Sequence, residues 1–321
     1  MYDVIALGEL LIDFTYVSSD QMNYPTIAAH PGGAPANFLA AISQLGGNTA
    51  LLGKVGDDAF GKMLLTTLEN MGVETNGIIT DPNWFTTMAF VTLDDSGNRE
   101  FSFARKPGAD TRIEYDELDL SIIDETKVFH FGTLSLTDEP ARAATYKAVN
   151  YAKSKGKLIT YDPNLRKPLW NDLTEAKNQL IWGLGQADVV KISDEEVEFL
   201  FGVNPVEGGK YIIETFGTKL VFVTCGGNGC WYFNANAYGH VDALSNIEVK
   251  DTTGAGDIFG GSAVWKLLQS NKDPEDLDDS ELRLIVEYAT TVAGLSTTRV
   301  GGISSIPSLK EIELRSQQHI S

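Results

Sequence analysis

Six short apolar runs, each separated from the next by helix-like sequence, constrain this chain more than anything else in it. The runs are Val4–Leu7, Ala50–Leu52, Val128–Phe131, Leu158–Tyr161, Val189–Ile192 and Leu220–Thr224. Between them lie the helix-like segments Ala36–Leu45, Ala59–Met71, Ala141–Lys155, Glu175–Leu184, Glu195–Phe201 and Tyr211–Phe216. Short runs that stay apolar on both faces are strands covered on both sides. Their alternation with helices predicts an α/β fold with a central, mostly parallel sheet sandwiched by helices.

One stretch departs from this rhythm. Thr86–Leu93 and Arg99–Arg105 alternate with period two around the turn DDSGN, which is a hairpin signature. Arg99, Phe101, Phe103 and Arg105 share one face of the second strand, and Glu100, Ser102 and Ala104 take the other. A hairpin inserted in a parallel design suits a cover, and the irregular residues 12–31 would supply the rest of it. We therefore expect one α/β domain over residues 1–321, with segments 12–33 and 86–106 forming a small β lid. No Pro/Ser-rich linker and no internal repeat divides the 321 residues.

Charge excludes one class of partner. The chain carries 25 basic and 44 acidic residues, a net charge of −19, and no basic cluster. A nucleic-acid partner would need a basic footprint. The acidic run Asp273–Glu281 reads as solvated surface. Cys225 and Cys230 flank GGNG and would face each other across a turn. With no second Cys/His pair nearby zinc is not expected, and two thiols suggest a reducing, cytoplasmic setting. The N-terminal MYDVIALGELLIDF has acidic residues within its apolar run and no basic region. It reads as a first strand, not as a signal peptide or membrane span.

In open parallel sheets, ligands bind beyond the carboxyl ends of the strands. Asp13 follows the first run, and DPNLR, with Asp162, Asn164 and Arg166, follows the fourth. Ser193 and Glu196 follow the fifth, CGGNG follows the sixth, and DTTGAGD (251–257) precedes a helix expected from Ile258. Polar groups thus collect on one rim. A glycine-rich turn that opens a helix points free N–H groups at an anion, and PGGAPAN (31–37) is a second such turn. The P-loop, H-E-x-x-H and G-x-S-x-G patterns do not occur, and Gly254, Gly256 and Gly260 are spaced one residue too widely for a dinucleotide fingerprint. His130 lies inside an apolar run and is expected to be structural.

Taken together, GELLIDF (8–14), PGGAPAN, GDDAFG (56–61), REFSF and PGAD (99–110), DPNLR, SDEE (193–196), VTCGGNG (223–229) and DTTGAGD resemble the ribokinase-like, PfkB-type carbohydrate kinases along almost the whole chain. GELLIDF and REFSFARKPGAD look most like the bacterial fructokinases of that family. The resemblance implies ATP-dependent phosphorylation of the 6-hydroxyl of D-fructose. It makes Asp257 the general base, held ionised by the helix dipole, and the N–H groups of Gly254, Ala255 and Gly256 an anion hole for the moving phosphoryl group. Asp13, Gly32, Gly33, Asn37, Phe101, Phe103, Arg105, Asn164 and Arg166 would line the sugar pocket.

By the same resemblance, Lys191, Ser193, Thr224, Gly226 and Gly229 would meet the nucleotide. Glu196 would organise hydrated Mg²⁺, and Asp251, Thr253, Ser296, Gly301 and Ser305 would surround a potassium-like cation. Ser193 stands where the family commonly has Asn, which puts its share of the metal or phosphate contact in question. A homodimer through the lid is also implied. A 2-keto-3-deoxygluconate kinase remains a rival, with Arg105, Lys106 and Arg166 available to a carboxylate. Other sugar or nucleoside kinases, and a non-catalytic sugar-binding regulator, also stay open. A dinucleotide oxidoreductase would need its fingerprint near residue 10, where GELLID stands instead.

Overall fold

The computed structural model describes residues 1–93 and 99–318. From β1 (Tyr2–Leu7) the chain leaves the main sheet as β2 (Leu11–Ser19) and β3 (Pro25–Gly32), then returns through α1 (Ala34–Gln44) to β4 (Thr49–Gly56). Next come α2 (Ala59–Asn70), the short β5 (Val73–Glu74) and β6 (Ile78–Asp81), and the pair β7 (Met88–Leu93) and β8 (Arg99–Ala104). Strands and helices then alternate: α3 (Leu120–Asp124), β9 (Thr126–Gly132), α4 (Ala141–Ser154), β10 (Leu158–Asp162), α5 (Leu173–Leu184), β11 (Val189–Ser193), α6 (Asp194–Phe201), α7 (Pro205–Phe216) and β12 (Leu220–Thr224). The chain closes with β13 (Cys230–Phe233), β14 (Tyr238–Val241), α8 (Ala255–Ser270), α9 (Asp279–Ser296) and α10 (Leu309–Gln318).

Two sheets result. The main one runs β14-β13-β12-β11-β10-β9-β1-β4-β5, with β6 also paired to β4. It is parallel except for β13 and β14, which add to the β12 edge antiparallel. Its strands are buried on both faces, as the unbroken apolar runs require; Val4, Ile5, Ala6 and Leu7 are all fully enclosed. The second sheet, β3-β2-β7-β8, is built from the two segments expected to form a lid.

The site depends on how closely α1 and α8 approach. Gly261 lies where a Cβ would come within 2.4 Å of the Phe38 backbone oxygen. Only glycine there lets the two helices meet, and that contact sets the distance between Asn37 on α1 and Asp257 on α8.

Several boundaries depart from the sequence reading, each for a physical reason. Residues 12–31 are not irregular. They form most of β2 and β3, whose alternation is blurred by a register shift between Tyr16 and Ser18. The helix after DTTGAGD starts at Ala255, three residues before Ile258, because Gly254 at φ +74° serves as its N-cap. This puts Asp257 inside the first turn. Helix α7 begins at Pro205 rather than Tyr211, capped by Asn204. Gly208 and Gly209 hid that start; added Cβ atoms there would lie 2.2 Å from Val197 and 2.3 Å from Phe233. Cys230 pairs in register with Thr224, not with Cys225, and both thiols are free. The DDSGN turn lies outside the described residues.

Candidate active site

A cleft of about 1000 Å³ opens between the carboxyl ends of the main-sheet strands and the lid. Its floor carries Asn37, Lys191, Ser193, Glu196, Gly254, Gly256 and Asp257. Asp13 and Phe103 reach it from the lid, and Glu9, Gly33, Asn164, Arg166 and Thr253 complete the wall. The register of the lid explains the pairing of those two lid residues. His30, Asp13, Ala89 and Phe103 form one cross-strand row, so their side chains leave the same face of the sheet. Gly32 adjoins the cleft beside Asp13, whose Oδ2 would lie 2.3 Å from a Cβ at that position. The backbone of Phe101 pairs with Val91; its side chain lies outside the described residues.

Asp257 is 7 % exposed and receives a hydrogen bond from Asn37 Nδ2 at 2.8 Å. Burial raises its pKa above the ordinary carboxylate value, opposed by the Asn37 bond and by the Lys191 and Arg166 charges. Burial thus works against the ionised form that the helix dipole is expected to favour. The same enclosure pushes Asp13 up to about 6, against the pull of Arg166. Lys191 Nζ lies 3.0 Å from Asp162 Oδ2. Burial works against the ammonium, but Asp162, Glu196 and Asp257 outweigh it and hold Lys191 charged. A Cβ at Gly256 would come within 2.9 Å of that nitrogen, so the ammonium sits directly below the Gly254–Gly256 turn.

Ser193 and Glu196 form a capping box at α6: Ser193 N–H donates to Glu196 Oε2 at 2.8 Å, and Glu196 N–H to Ser193 Oγ at 3.2 Å. Serine is among the preferred N-cap residues, and the capping box gives Ser193 a local structural role. Glu196 Oε1 accepts the Leu165 N–H at 2.7 Å and so anchors the DPNLR loop. In that loop Asn164 holds φ +44° and donates its N–H to Asp162 Oδ1. Asp251 ties the C-terminal loops together: Oδ1 accepts from Thr253 N–H and Oγ1, and Oδ2 from Gly301 N–H. The Ser296 and Ser305 hydroxyls donate to Ala293 and Gly302 carbonyls.

Some sequence candidates lie apart from the cleft. Arg105 is 3 % exposed and bonds Asp110 Oδ2, Thr137 Oγ1 and the Leu134 carbonyl. It lines an adjoining cavity of about 380 Å³ at the lid root. Thr224 sits one strand beyond Ser193 in register, and Gly226 (φ +52°) and Gly229 (φ +89°) shape the turn after it. His130 is buried, stacks on Phe38 at 3.8 Å and shares a 3.0 Å bond with Thr160; burial drives its pKa to about 3, so it is a neutral packing residue. Two acids escaped the sequence reading as site residues. Asp162 appeared only as part of DPNLR, and Glu9 only as part of GELLIDF; neither motif shows which side chain the fold will bury.

Residues 1–309 match the pfkB family carbohydrate kinase model. The chain belongs to that family of carbohydrate kinases. Its relatives include fructokinase-1 of Zea mays, 41% identical over 314 residues, which are 96% of each chain. Among solved structures, a fructokinase from Xylella fastidiosa with bound ATP superimposes with a TM-score of 0.91 at 28% identity, covering 100% of both chains. A Vibrio cholerae fructokinase double mutant, solved with fructose, ADP and a potassium ion, gives 0.85 at 30% identity over 98% of both.

Proposed function

We propose that this enzyme transfers the γ-phosphoryl group of ATP to the 6-hydroxyl of D-fructose. The observation that carries the reading is the placement of Asp257. A buried carboxylate in the first turn of α8, fixed by Asn37, faces a cleft whose opposite wall is the lid. Relatives named fructokinase along nearly the full chain, and solved ones holding ATP or fructose, support ATP and fructose as the substrates.

Asp257 takes the proton of the attacking hydroxyl while the N–H groups of Gly254–Gly256 receive charge on the phosphoryl oxygens. Lys191 stands beneath that turn and adds positive charge to the same region. Asp13 accepts two sugar hydroxyls from the lid, with Gly32, Gly33, Asn37 and Asn164 around the ring. Phe103 and the lid exclude water over it. Thr224, Gly226 and Gly229 meet the nucleotide from the neighbouring strand ends. The acids of the α6 N-terminus suit a hydrated divalent cation: Glu196 has both oxygens engaged by N–H groups, so it acts through water. Mg²⁺ there would neutralise the phosphates of ATP.

The loops drawn together by Asp251, with Thr253, Ser296, Gly301 and Ser305, would carry the K⁺ site through their carbonyls. Arg105 supports the neutral-sugar reading over the keto-acid one. Its charge is already matched by Asp110, which leaves a substrate carboxylate one fewer cation. Tyr16, Val17, Met22, Tyr24 and Ile27 are exposed on β2, β3 and their connection, a surface suited to a lid-to-lid homodimer. The free thiols suit a cytoplasmic setting, and no helix among the described residues is long and apolar enough to cross a membrane. The test is ATP consumption with Mg²⁺ and K⁺ on fructose, glucose, ribose, 2-keto-3-deoxygluconate, adenosine and fructose 6-phosphate. Turnover preferring fructose, with fructose 6-phosphate as product, is expected. Preference for the keto acid would overturn the fructose assignment.

A further inference from the structure

Glu9 is the least exposed carboxylate lining the cleft, at 3 %, and the mechanism above gives it no task. Its Oε1 accepts the N–H of Ala34 at 2.9 Å. Ala34 is the first residue of α1, and its N-cap, Gly33, has no side chain with which to satisfy the helix end. Glu9 thus caps α1 from a distant loop, where a carboxylate also complements the helix dipole. The fit is tight on both sides. A Cβ on Gly33 would lie 2.5 Å from the Glu9 carbonyl oxygen, and one on Gly8 would lie 2.6 Å from Pro35 Cγ.

One turn further along α1, Asn37 donates its backbone N–H to Gly33 at 2.9 Å and its side-chain N–H to Asp257 at 2.8 Å. The other side-chain atom, Asn37 Oδ1, is buried without a hydrogen-bond partner among the described residues. It is packed against Gly302, where an added Cβ would approach it to 2.4 Å. The amide is therefore aimed by the position of α1 and by its single bond to Asp257. With the Gly261 contact setting the spacing of α1 and α8, what anchors the start of α1 sets the aim of that bond.

We propose that Glu9 is a positioning residue for phosphoryl transfer: it docks the N-terminus of α1 so that Asn37 holds one oxygen of Asp257 and leaves the other to the acceptor hydroxyl. The proposal rests on Asp257 being the base. It acts on geometry, so its effect belongs in kcat rather than in nucleotide affinity. Misplacement of a reacting group by about 1 Å costs on the order of 100-fold.

Three variants test it by steady-state kinetics with ATP and fructose. Glu9→Leu should lower kcat about 10- to 100-fold while changing KM for ATP less than about threefold. Glu9→Gln keeps an acceptor oxygen and should restore kcat to within about threefold of the unmodified enzyme. Ala34→Pro deletes the donor at a position where proline is tolerated. It should reproduce the Glu9→Leu loss, and the two should not add. A second readout needs no turnover. In ¹⁵N-asparagine-labelled, ligand-free protein, the Asn37 side-chain amide resonance should move in Glu9→Leu and stay in place in Glu9→Gln. An unmoved resonance in Glu9→Leu, unchanged kcat, or a glutamine variant as impaired as leucine would overturn the proposal. If Asp257→Asn turns over normally, the base assignment falls instead, whatever the Asn37 resonance does.

Discussion

Replacing Arg105 separates a strut from a substrate ligand. In Arg105→Met the aliphatic stem keeps much of its packing, but Asp110 loses the cation 2.7 Å away and stays 5 % exposed. Removing one partner of a buried ion pair costs about 3–5 kcal/mol. The 3.6 Å approach of Arg105 to the half-exposed Asp138 adds little to that figure. For a chain of 321 residues, the usual unfolding entropy converts the loss to a Tm lower by about 4–7 °C. The double variant Arg105→Met/Asp110→Leu should recover most of it. No charge is then stranded, and Thr137 Oγ1 keeps the Leu134 carbonyl as a partner at 2.9 Å. The residual loss should be about 1–2 kcal/mol. Thermal melts of the two single variants and the double variant give the coupling directly, and kinetics on fructose run alongside. KM for fructose should change little at temperatures where the variants are folded. An unchanged Tm together with a tenfold or greater rise in KM would refute this reasoning and return Arg105 to the sugar pocket.

Asp257→Asn should lower kcat by about two to four decades with fructose binding nearly intact, the usual range for a lost general base; equilibrium binding and single-turnover rates check both halves. The free-enzyme pH profile should have a raised acid limb. Asp13 and Asp257 both have pKa values above the ordinary carboxylate range, so their ionised forms are lost as pH falls through those raised values, near 6 for Asp13, and kcat/KM should fall with them. In Asp13→Asn the component near 6 should vanish along with most of the sugar affinity. Gly261→Ala should destabilise by about 1–3 kcal/mol, since its Cβ must displace the α1 backbone at Phe38. Urea denaturation measures that cost, and unaltered stability would mean that α1 and α8 yield freely.

The sheet was legible because burial on both faces writes itself into unbroken apolar runs: β1, β9, β10, β11 and β12 each contain their sequence-marked core. The β7–β8 hairpin was legible for a different reason, its period-two alternation on either side of the turn-forming DDSGN. The first half of the lid was not, because a register shift breaks its alternation at Tyr16–Ser18. Asp257, Asn37 and Gly254 could be picked out from the glycine-rich turns and the family resemblance. Arg105 was read as a sugar ligand because its partner Asp110 lies five residues away, around the turn that follows β8, and sequence spacing does not reveal which arginine already has a carboxylate beside it. Glu9 was missed for a related reason: a helix cap supplied from 25 residues upstream leaves no local signature.

The lid is woven from two separated stretches of chain, and the stitch between them is the parallel pairing of β2 with β7. Pro31, Ile12, Met88 and Ala104 form a single row across its base, and all four crossings to the body leave from beside that row. Four covalent tethers in a line leave a plate one easy freedom, rotation about that line, as with a door hung on four pins. Sliding or peeling of one hairpin would have to break the β2–β7 ladder first. The lid should therefore swing as one plate, carrying Asp13 and Phe103 toward the floor together, so that grip on the sugar and the closing of its roof happen in the same stroke.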